Sequence, residues 1–374
     1  MKGPVWNEPP GARSARLFRV QQLLHNACSG MTGVQCWQTD WSVSPRTIQR
    51  ALCTLLRCGW LPFLTVSRER EVDLQAHILR FECEALTEIA TPPFKGSMIR
   101  GALFSALRRD FCLDPQALAC SDCRARQACP VCSLLATMDE DSPRGVEVAR
   151  PCTVEPPLEG QTLYRPGDRF SFGVTLFGDA ADLLPYVIIG VRRMGETGVG
   201  NRYRASGRFV VQRIEAVDPI SERKQEIHRQ GESMVRRPGL GVTHEVVLSS
   251  CRPLNSTSGV TVELLTPTRL VADGALVKRL TFPVLLRRLL RRLTDLTRTA
   301  TSSHPGFDHE VLLQQAEDVR VVEDRTRWVD VPSYSSRQGR FTPVGGLVGE
   351  IAFEGTLKPF APWLIWGSIT HVGK

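Results

Sequence analysis

The stretch Gly345–Lys374 reads GGLVGEIAFEGTLKPFAPWLIWGSITHVGK and decides the fold predicted for the C-terminal part of the chain. Two adjacent glycines, Gly345 and Gly346, are typical of a turn. The alternation in Val348–Phe353 suits a strand, and Leu357–Ile369 carries apolar residues at helical spacing. The stretch therefore predicts a turn, a strand and an amphipathic helix in succession.

Strand and helix patterns alternate over most of the remaining sequence. The predicted strands are Leu74–Leu86, Arg169–Leu176, Arg208–Ile214, Val260–Leu265 and Val319–Val322. A basic amphipathic helix is predicted over Phe282–Thr297, whose leucines form one apolar face. Residues 219–241 mix charge with little periodicity and favour a linker or long loop. Alternating strands and helices indicate an α+β fold.

Three further phrases accompany the C-terminal stretch, in a fixed order. They are Pro92–Leu103 (PPFKGSMIRGAL), Gly195–Arg204 (GETGVGNRYR) and Leu265–Leu270 (LTPTRL). Together the four phrases resemble the CRISPR-associated endoribonucleases of the Cas6 family, which cut repeat RNA and belong to the ferredoxin-like RAMP superfamily. The resemblance covers roughly residues 73–374.

The resemblance implies tandem ferredoxin-like (RRM-like) RAMP domains. A small helical winged helix-turn-helix domain is expected before them, on the basis of a separate resemblance. The expected boundaries are residues 1–70 for the winged helix-turn-helix, 71–218 for the first RAMP domain, 219–258 for a linker and connecting strand, and 259–374 for the second RAMP domain. Relatives continue beyond the phrase THVGK with more glycine and a final strand. An exposed sheet edge is therefore expected in the second domain.

Residues 1–70 lie outside the RAMP resemblance. Ser44 suits a helix N-cap and Pro45 its first turn. The phrase Val43–Arg50 resembles the start of the recognition helix in DeoR-like regulators, which implies that Arg46, Gln49 and Arg50 face duplex DNA. The alternative is a small helical domain that contacts protein or packs on the body of the chain.

The net charge of +8 is carried almost entirely by arginine, since only six of the 47 basic residues are lysines. Guanidinium groups bind phosphate bidentately and stack on bases, which favours a nucleic-acid partner, although codon bias in a GC-rich genome predicts the same composition. No apolar run is long enough to span a bilayer and Met1–Ala15 has no apolar core, so no membrane contact and a cytoplasmic location are expected.

Four of the twelve cysteines have the spacing C-x2-C-x5-C-x2-C. Cys120, Cys123, Cys129 and Cys132 form two chelating pairs, and four thiolates leave no open position for catalysis on a tetrahedral ion. The spacing predicts a structural zinc. An iron–sulfur cluster and a set of reduced buried cysteines are the alternatives.

Glycines and arginines make the candidate RNA contacts. Gly198 and Gly200 let phosphates approach backbone N–H groups, and neighbouring arginines neutralise phosphate charge. Besides these two glycines, the candidate set is Arg100, Arg192, Arg193, Arg202, Arg204, Arg208, Arg287, Arg291, Gly345, Gly346 and Lys374. The alternative is a hairpin and a helix whose arginines are merely solvated.

Metal-independent RNA cleavage needs a general base, a general acid and a cation near the phosphate. The candidates are His77, His371 and Lys95, with Tyr203 as a base-stacking or proton-donating group. A packed strand histidine and a helix C-terminal histidine without chemistry are the alternatives for His77 and His371. The expected function is cleavage of CRISPR precursor RNA into guide RNAs. Two other hypotheses are a catalytically silent RNA-binding subunit of an effector complex and a regulator that binds duplex DNA through residues 1–70.

Overall fold

The computed structural model describes residues 72–117, 119–138, 148–201, 205–251, 257–301, 307–335 and 340–373. The chain divides into two compact units, Met1–Ser67 and Arg68–Lys374. The candidate DNA-binding residues Arg46, Gln49 and Arg50 lie outside the described residues, as do Arg202, Arg204 and Lys374. Within the described ranges, no helix combines the length and apolar character needed to cross a membrane.

The described part of the second unit contains both helices and strands. The helices are α1 (Gly96–Phe111), α2 (Pro130–Leu135), α3 (Leu184–Thr197), α4 (His244–Ser250), α5 (Phe282–Thr301), α6 (His309–Ala316) and α7 (Ala361–Thr370). The longer strands are β1 (Ala76–Ala85), β3 (Cys152–Glu155), β5 (Arg169–Phe177), β8 (Phe209–Asp218), β9 (Arg223–Arg229), β10 (Gly259–Thr268), β13 (Arg320–Asp324), β14 (Arg327–Ser335) and β15 (Arg340–Glu354). The short strands are β2 (Ile89–Ala90), β4 (Leu163–Tyr164), β6 (Val199–Asn201), β7 (Ala205–Gly207), β11 (Val271–Ala272) and β12 (Ala275–Leu276).

The N-terminal half is built on an antiparallel sheet with the order β3-β5-β1-β8-β9. Alternate residues of β1, such as Leu79, Phe81 and Cys83, are at most 1% exposed and point into the core. Helices α1 and α3 bury their apolar faces in the same core. Strands β3, β5, β1 and β8 follow the order of a split β-α-β arrangement, because β1 lies between β5 and β8.

Two features of this half differ from the prediction. The expected linker at residues 219–241 contains β9, which pairs with β8 and extends the sheet by one strand. Its charged pattern misleads because an edge strand presents polar side chains to solvent. Helix α3, which the sequence pattern did not single out, follows directly on a 3-10 turn at Gly178–Leu183.

The C-terminal half contains a second antiparallel sheet with the order β10-β15-β13, and β14 pairs with β15 over nine residues. Helix α5 packs on it through the predicted leucine face, in which Leu286, Leu290 and Leu293 have no exposed surface. Helix α7 packs on α5, and Gly367 permits a close approach to Leu289.

The predicted turn at Gly345 and Gly346 is wrong, because both residues lie within β15. A Cβ at Gly346 would lie 2.5 Å from the backbone carbon of Pro267 and the backbone nitrogen of Thr268. A Cβ at Gly345 would collide with Asp330 and the Trp328 ring. The glycines therefore serve the close packing of β15 against its neighbours, not a change of chain direction.

The two halves share a packed boundary. Val72, Leu74, Ala76 and Phe177 belong to the core of the C-terminal half although they precede or lie within the first sheet. The N–H of Gly178 donates to the carbonyl of Gln75 at 2.8 Å. A side chain at Gly178 would meet the end of α5, so this glycine lets the helix approach the first sheet.

Candidate functional site

His371 follows the last turn of α7 in a strained backbone conformation. Its φ of 59° and ψ of 155° fall in a region that is essentially restricted to glycine. The N–H of His371 donates to the carbonyl of Gly367 at 3.1 Å, which fixes the residue at the helix end. Strain of this kind costs about 1–3 kcal/mol and clusters at functional sites. His371 is therefore held in place by its surroundings at an energetic cost.

An acidic group and a basic group from different halves act on the pKa of His371. Burial lowers its pKa from the usual 6.5, the carboxylate of Glu155 acts in the opposite direction, and the guanidinium of Arg292 lowers the pKa further. Glu155 ends β3 in the N-terminal half, and Arg292 is on α5 in the C-terminal half. The site therefore forms only when the two halves are packed together.

The guanidinium of Arg150 acts on two other arginines, Arg292 and Arg100. Burial lowers the pKa of Arg292 to about 10, whereas Cys152 and Asp295 oppose this effect. Arg150 lowers the pKa of Arg292 as well. The pKa of Arg100, on α1, is lowered by partial desolvation and then by Arg150. We call these five residues the junction cluster: Arg100, Arg150, Glu155, Arg292 and His371.

The cluster carries more positive than negative charge. The guanidinium of Arg80 also lies 3.8 Å from a carboxylate oxygen of Glu155. Glu155 therefore interacts with more than one cation. Cys152, beside the arginines, is neutral at physiological pH because burial raises its pKa to about 11. Among the described residues, neither Arg100 nor Arg292 makes an ion pair or a hydrogen bond, although Asp295 acts on Arg292 from a greater distance. Arg100 is exposed and Arg292 is partly buried. Guanidinium groups without a hydrogen-bonded carboxylate favour binding of an anion such as a phosphate.

The position of Arg150 depends on helix α2. Its Nε donates to the carbonyl of Leu135 at 2.6 Å, and the Sγ of Cys152 donates to the carbonyl of Leu134 at 3.4 Å. Both acceptors are at the C-terminal end of α2, where carbonyls lack helical partners. The segment that contains α2 therefore holds the start of β3 and with it one side of the junction cluster.

The glycine and arginine loop is described only at its base. Gly198 ends α3 with a φ of 88°, and Gly200 lies in β6 with a φ of 110°, so both adopt backbone conformations that favour glycine. Arg208 is exposed, and its backbone bonds to Leu86 and Thr87 anchor the base of the loop. Because Arg202 and Arg204 lie outside the described residues, the RNA contact of the loop stays a prediction.

The other predicted arginines have varied partners. Arg193 donates to Asp110 at 2.7 Å and to Glu196 at 2.6 Å, so its charge is already compensated on the surface of α3. Arg192 lies 3.4 Å from the ring of His228. On α5, Arg287 is exposed, whereas Arg291 lies 3.9 Å from Asp295.

Two of the three predicted catalytic residues lie outside the junction cluster. The Nδ1 of His77 lies 3.0 Å from the carbonyl of Leu240, in keeping with a packed strand histidine. Lys95 is 1% exposed, and its Nζ donates to the carbonyl of Glu159 at 2.7 Å. Burial of its ammonium group lowers the pKa of Lys95. In this position the ammonium group of Lys95 is bonded to a carbonyl and shielded from solvent, and its catalytic role stays a prediction.

Sequence reasoning missed three members of the junction cluster. Arg292 is the second residue of an arginine pair on α5. The pair itself indicates phosphate binding, but the sequence prediction names only Arg291 of this pair. Arg150 and Glu155 carry no local signal. Only the tertiary structure brings Glu155 close enough to act on His371 and Arg150 close enough to act on Arg292.

The four cysteines lie between α1 and β3. Cys120 opens a short 3-10 turn, Cys123 follows it, Cys129 precedes α2, and Cys132 lies within α2. All four are free thiols. In the part of the chain that the structure describes, no three Cys, His, Asp or Glu side chains are arranged as ligands of a metal ion.

Residues 262–374 match the family model described as CRISPR-associated endoribonuclease Cas6. The match covers less than a third of the chain. The resemblance seen in the C-terminal sequence is therefore confirmed for this part, which includes α5, β15, α7 and His371. Residues 74–240 match a second model, described as an N-terminal domain. Both matches begin after residue 70, so the DeoR-like helix-turn-helix is not confirmed.

Individual relatives show more distant likeness. An uncharacterized protein of Archaeoglobus fulgidus is 30% identical over 110 residues, which are 29% of this chain and 36% of that protein. The chain thus spans about a third of that relative's length. A partial Cas6-RT-Cas1–Cas2 complex aligns with a TM-score of 0.49 and 12% identity over 81% of this chain and 44% of that one. Thermus thermophilus Cas6 aligns with a TM-score of 0.44 and 15% identity over 80% of this chain and 93% of that one.

Proposed function

We propose that the protein binds CRISPR repeat RNA and cleaves the precursor transcript into guide RNAs. The observation that carries this proposal is the position of His371, on which Glu155 of the N-terminal half and Arg292 of α5 both act. We also infer that the two sheets are tandem ferredoxin-like RAMP domains. The order β3-β5-β1-β8 supports this for the first half, and the order β10-β15-β13 supplies three corresponding strands in the second.

RNA binding would begin with phosphate contacts. Arg100, Arg150 and Arg292 provide planar donors that match phosphate oxygens. The exposed Arg208, Arg287 and the base of the loop at Gly198 and Gly200 extend the positive surface along the chain. Each phosphate neutralised by a cation releases condensed counterions, so binding is expected to weaken with salt.

Cleavage would follow the in-line route available to RNA. The 2′-hydroxyl loses its proton to a general base, its oxygen forms a bond to the adjacent phosphorus, and the bond from phosphorus to the 5′-oxygen breaks. The leaving oxygen takes a proton from an acid, giving a cyclic phosphate and a 5′-hydroxyl. The lowered pKa of His371 keeps its ring neutral near pH 7, as a base requires.

The neighbours of His371 have distinct roles in this scheme. Arg292 would stabilise the charge that develops on the phosphate oxygens, because its guanidinium is partly buried and has no hydrogen-bonded carboxylate among the described residues. Glu155 would orient the imidazole and stabilise the imidazolium after proton uptake. No step in this scheme requires a divalent metal ion.

The test uses the full chain and end-labelled repeat RNA in the presence of EDTA. A discrete cut with a cyclic phosphate end is expected, and a single 2′-deoxy substitution at the cut should abolish it. His371→Ala should abolish cleavage and retain binding, whereas His77→Ala should retain both. Cleavage by His371→Ala at the rate of the parent protein would contradict the assignment of His371.

A catalytically silent RNA-binding subunit is the second candidate. It is favoured by the packed His77 and the buried Lys95, which leave His371 alone among the three predicted catalytic side chains. Tight, salt-dependent binding without a cut on cognate repeats would support this function. Effector-complex proteins would then be partners. Binding of duplex DNA by residues 1–70 is a separate proposal. It can be tested by measuring the salt dependence of DNA binding for the full chain and for a variant at residue 46.

A further inference from the structure

The segment between α1 and β3 has little secondary structure to hold it. Its described residues form a three-residue 3-10 turn at Cys120–Asp122 and the six-residue helix α2. Val131, Leu134 and Leu135 attach α2 to the N-terminal core. The stretch before α2 contributes only Cys120 and Cys129 to the same cluster. A crosslink between the two parts of the segment would therefore add stability that packing does not provide.

The cysteine thiols lie where such a crosslink is needed. The thiols of Cys120 and Cys129 are both hydrogen-bonding neighbours of Cys132. Cys129 has no exposed surface, and Cys123 and Cys132 are each 5% exposed. Three free thiols from both sides of the segment are thus neighbours, although in the described residues they are not yet arranged as ligands of a metal ion.

We propose that Cys120, Cys123, Cys129 and Cys132 bind one structural Zn²⁺ as four thiolates. Each thiol gives its proton to solvent as its sulfur bonds to the ion, so no redox partner is required. Binding draws Cys123 from the loop onto the three gathered thiols and completes the tetrahedral set. The two C-x2-C pairs are close enough in sequence for this rearrangement.

The zinc acts on the junction cluster through α2. The ion ties the start of α2 to the preceding loop, and the end of α2 holds Arg150 and Cys152 through the carbonyls of Leu135 and Leu134. Metal binding therefore fixes the strand that carries Arg150 and Glu155. This coupling is local, because α2 has only six residues.

The test is the zinc content of the full chain, purified without chelator and without added metal. About one Zn²⁺ per chain is expected by elemental mass spectrometry, and a mercurial should release it. Cobalt substitution should give the thiolate charge-transfer and visible bands of a tetrahedral four-sulfur site. A folded parent protein without zinc that also fails to take up Co²⁺ would overturn the proposal.

Single variants identify the ligands. Cys123→Ser and Cys129→Ser should each lower the zinc content to well below one ion per chain, whereas Cys251→Ser, at a buried cysteine in the C-terminal half, should leave it unchanged. Cys112 lies near Cys120, so Cys112→Ser tests a different ligand set. Loss of zinc in Cys112→Ser with retention in Cys123→Ser would overturn the four-ligand assignment. Circular dichroism identifies any variant that fails to fold. The cobalt spectra of the parent protein test the site without a variant. Because no readout involves RNA, a silent nuclease does not affect the outcome.

Discussion

The carboxylate of Glu155 and the imidazole of His371 come from opposite halves of the second unit and interact across their boundary. Burial lowers the pKa of His371, and the carboxylate opposes this effect. The same histidine follows helix α7, whereas Glu155 ends a strand of the first sheet. Proton affinity at the candidate site therefore depends on the packing between the halves.

Replacing Glu155 by Gln should lower the pKa of His371 further, because the imidazolium loses a stabilising anion. The acidic limb of the pH–rate profile for RNA cleavage should move to lower pH if His371 acts as the base. An NMR titration of the His371 ring measures the shift directly. The exposed Glu88→Gln is the matched control and should leave the ring titration unchanged.

His371→Gly should make the protein more stable and inactive. Glycine adopts a φ of 59° with a ψ of 155° without the strain of a side chain, so relief of about 1–3 kcal/mol is expected. His371→Ala loses the same imidazole and keeps the strain, which makes it the matched comparison. Urea unfolding of both variants gives the difference. Equal stability of the two would contradict the assignment of strain at this position.

His371 should also make stability depend on pH. Its pKa in the folded state lies below the usual 6.5, so the unfolded chain binds more protons as the pH falls through that region. This contribution to stability is present above the unfolded pKa and is lost as the pH falls through the folded pKa. The free energy of unfolding of the parent protein should therefore decline below about pH 6.5 more steeply than that of His371→Gln. Parallel curves for the two proteins would show that the ring does not titrate differently on folding.

Arg292→Gln should weaken binding of every RNA sequence by a similar factor. A cation that contacts a phosphate contributes roughly one unit to the slope of log affinity against log salt, so the slope should fall by about one. Fluorescence anisotropy across a salt series measures both quantities. Arg320→Gln, which removes an exposed arginine paired with Glu354 at 3.2 Å, is the control and should bind like the parent protein.

Gly346→Ala should destabilise the C-terminal half. The added Cβ would lie 2.5 Å from the backbone of Pro267 and Thr268, where neither chain can yield without disturbing the sheet. A loss of about 1–3 kcal/mol is expected from thermal or urea unfolding. Gly101→Ala is the matched control, because nothing lies within 4 Å of its Cβ on α1 and alanine favours a helix by roughly 1 kcal/mol. A stable Gly346→Ala protein would show that β15 does not need the close approach.

Local sequence determined the elements that depend on periodicity. The alternation in Leu74–Leu86 predicted β1, and the leucine face of Phe282–Thr297 predicted α5, which extends to Thr301. The final phrase indicated the family of the C-terminal domain, because its residue types and order are specific. These features depend on residues that are close together in the sequence, and a sequence pattern is defined by such residues.

The tertiary structure decided the features that depend on distant residues. Gly345 and Gly346 look like a turn locally, yet they lie within β15 because Trp328 and Thr268 approach too closely for a side chain. Strand β9 looks like a linker because its edge position exposes charged residues to solvent.

The grouping of the junction cluster could not be predicted from local sequence, because its members are far apart in the chain. Arg150 and Glu155 are more than two hundred residues from His371 in the chain, and no local pattern relates them. Sequence by itself determined the residue types, the periodic elements and the phrase that resembles the Cas6 family. The tertiary structure decided that Glu155 and Arg292 act on His371, because burial and electrostatic contact depend on distance in space.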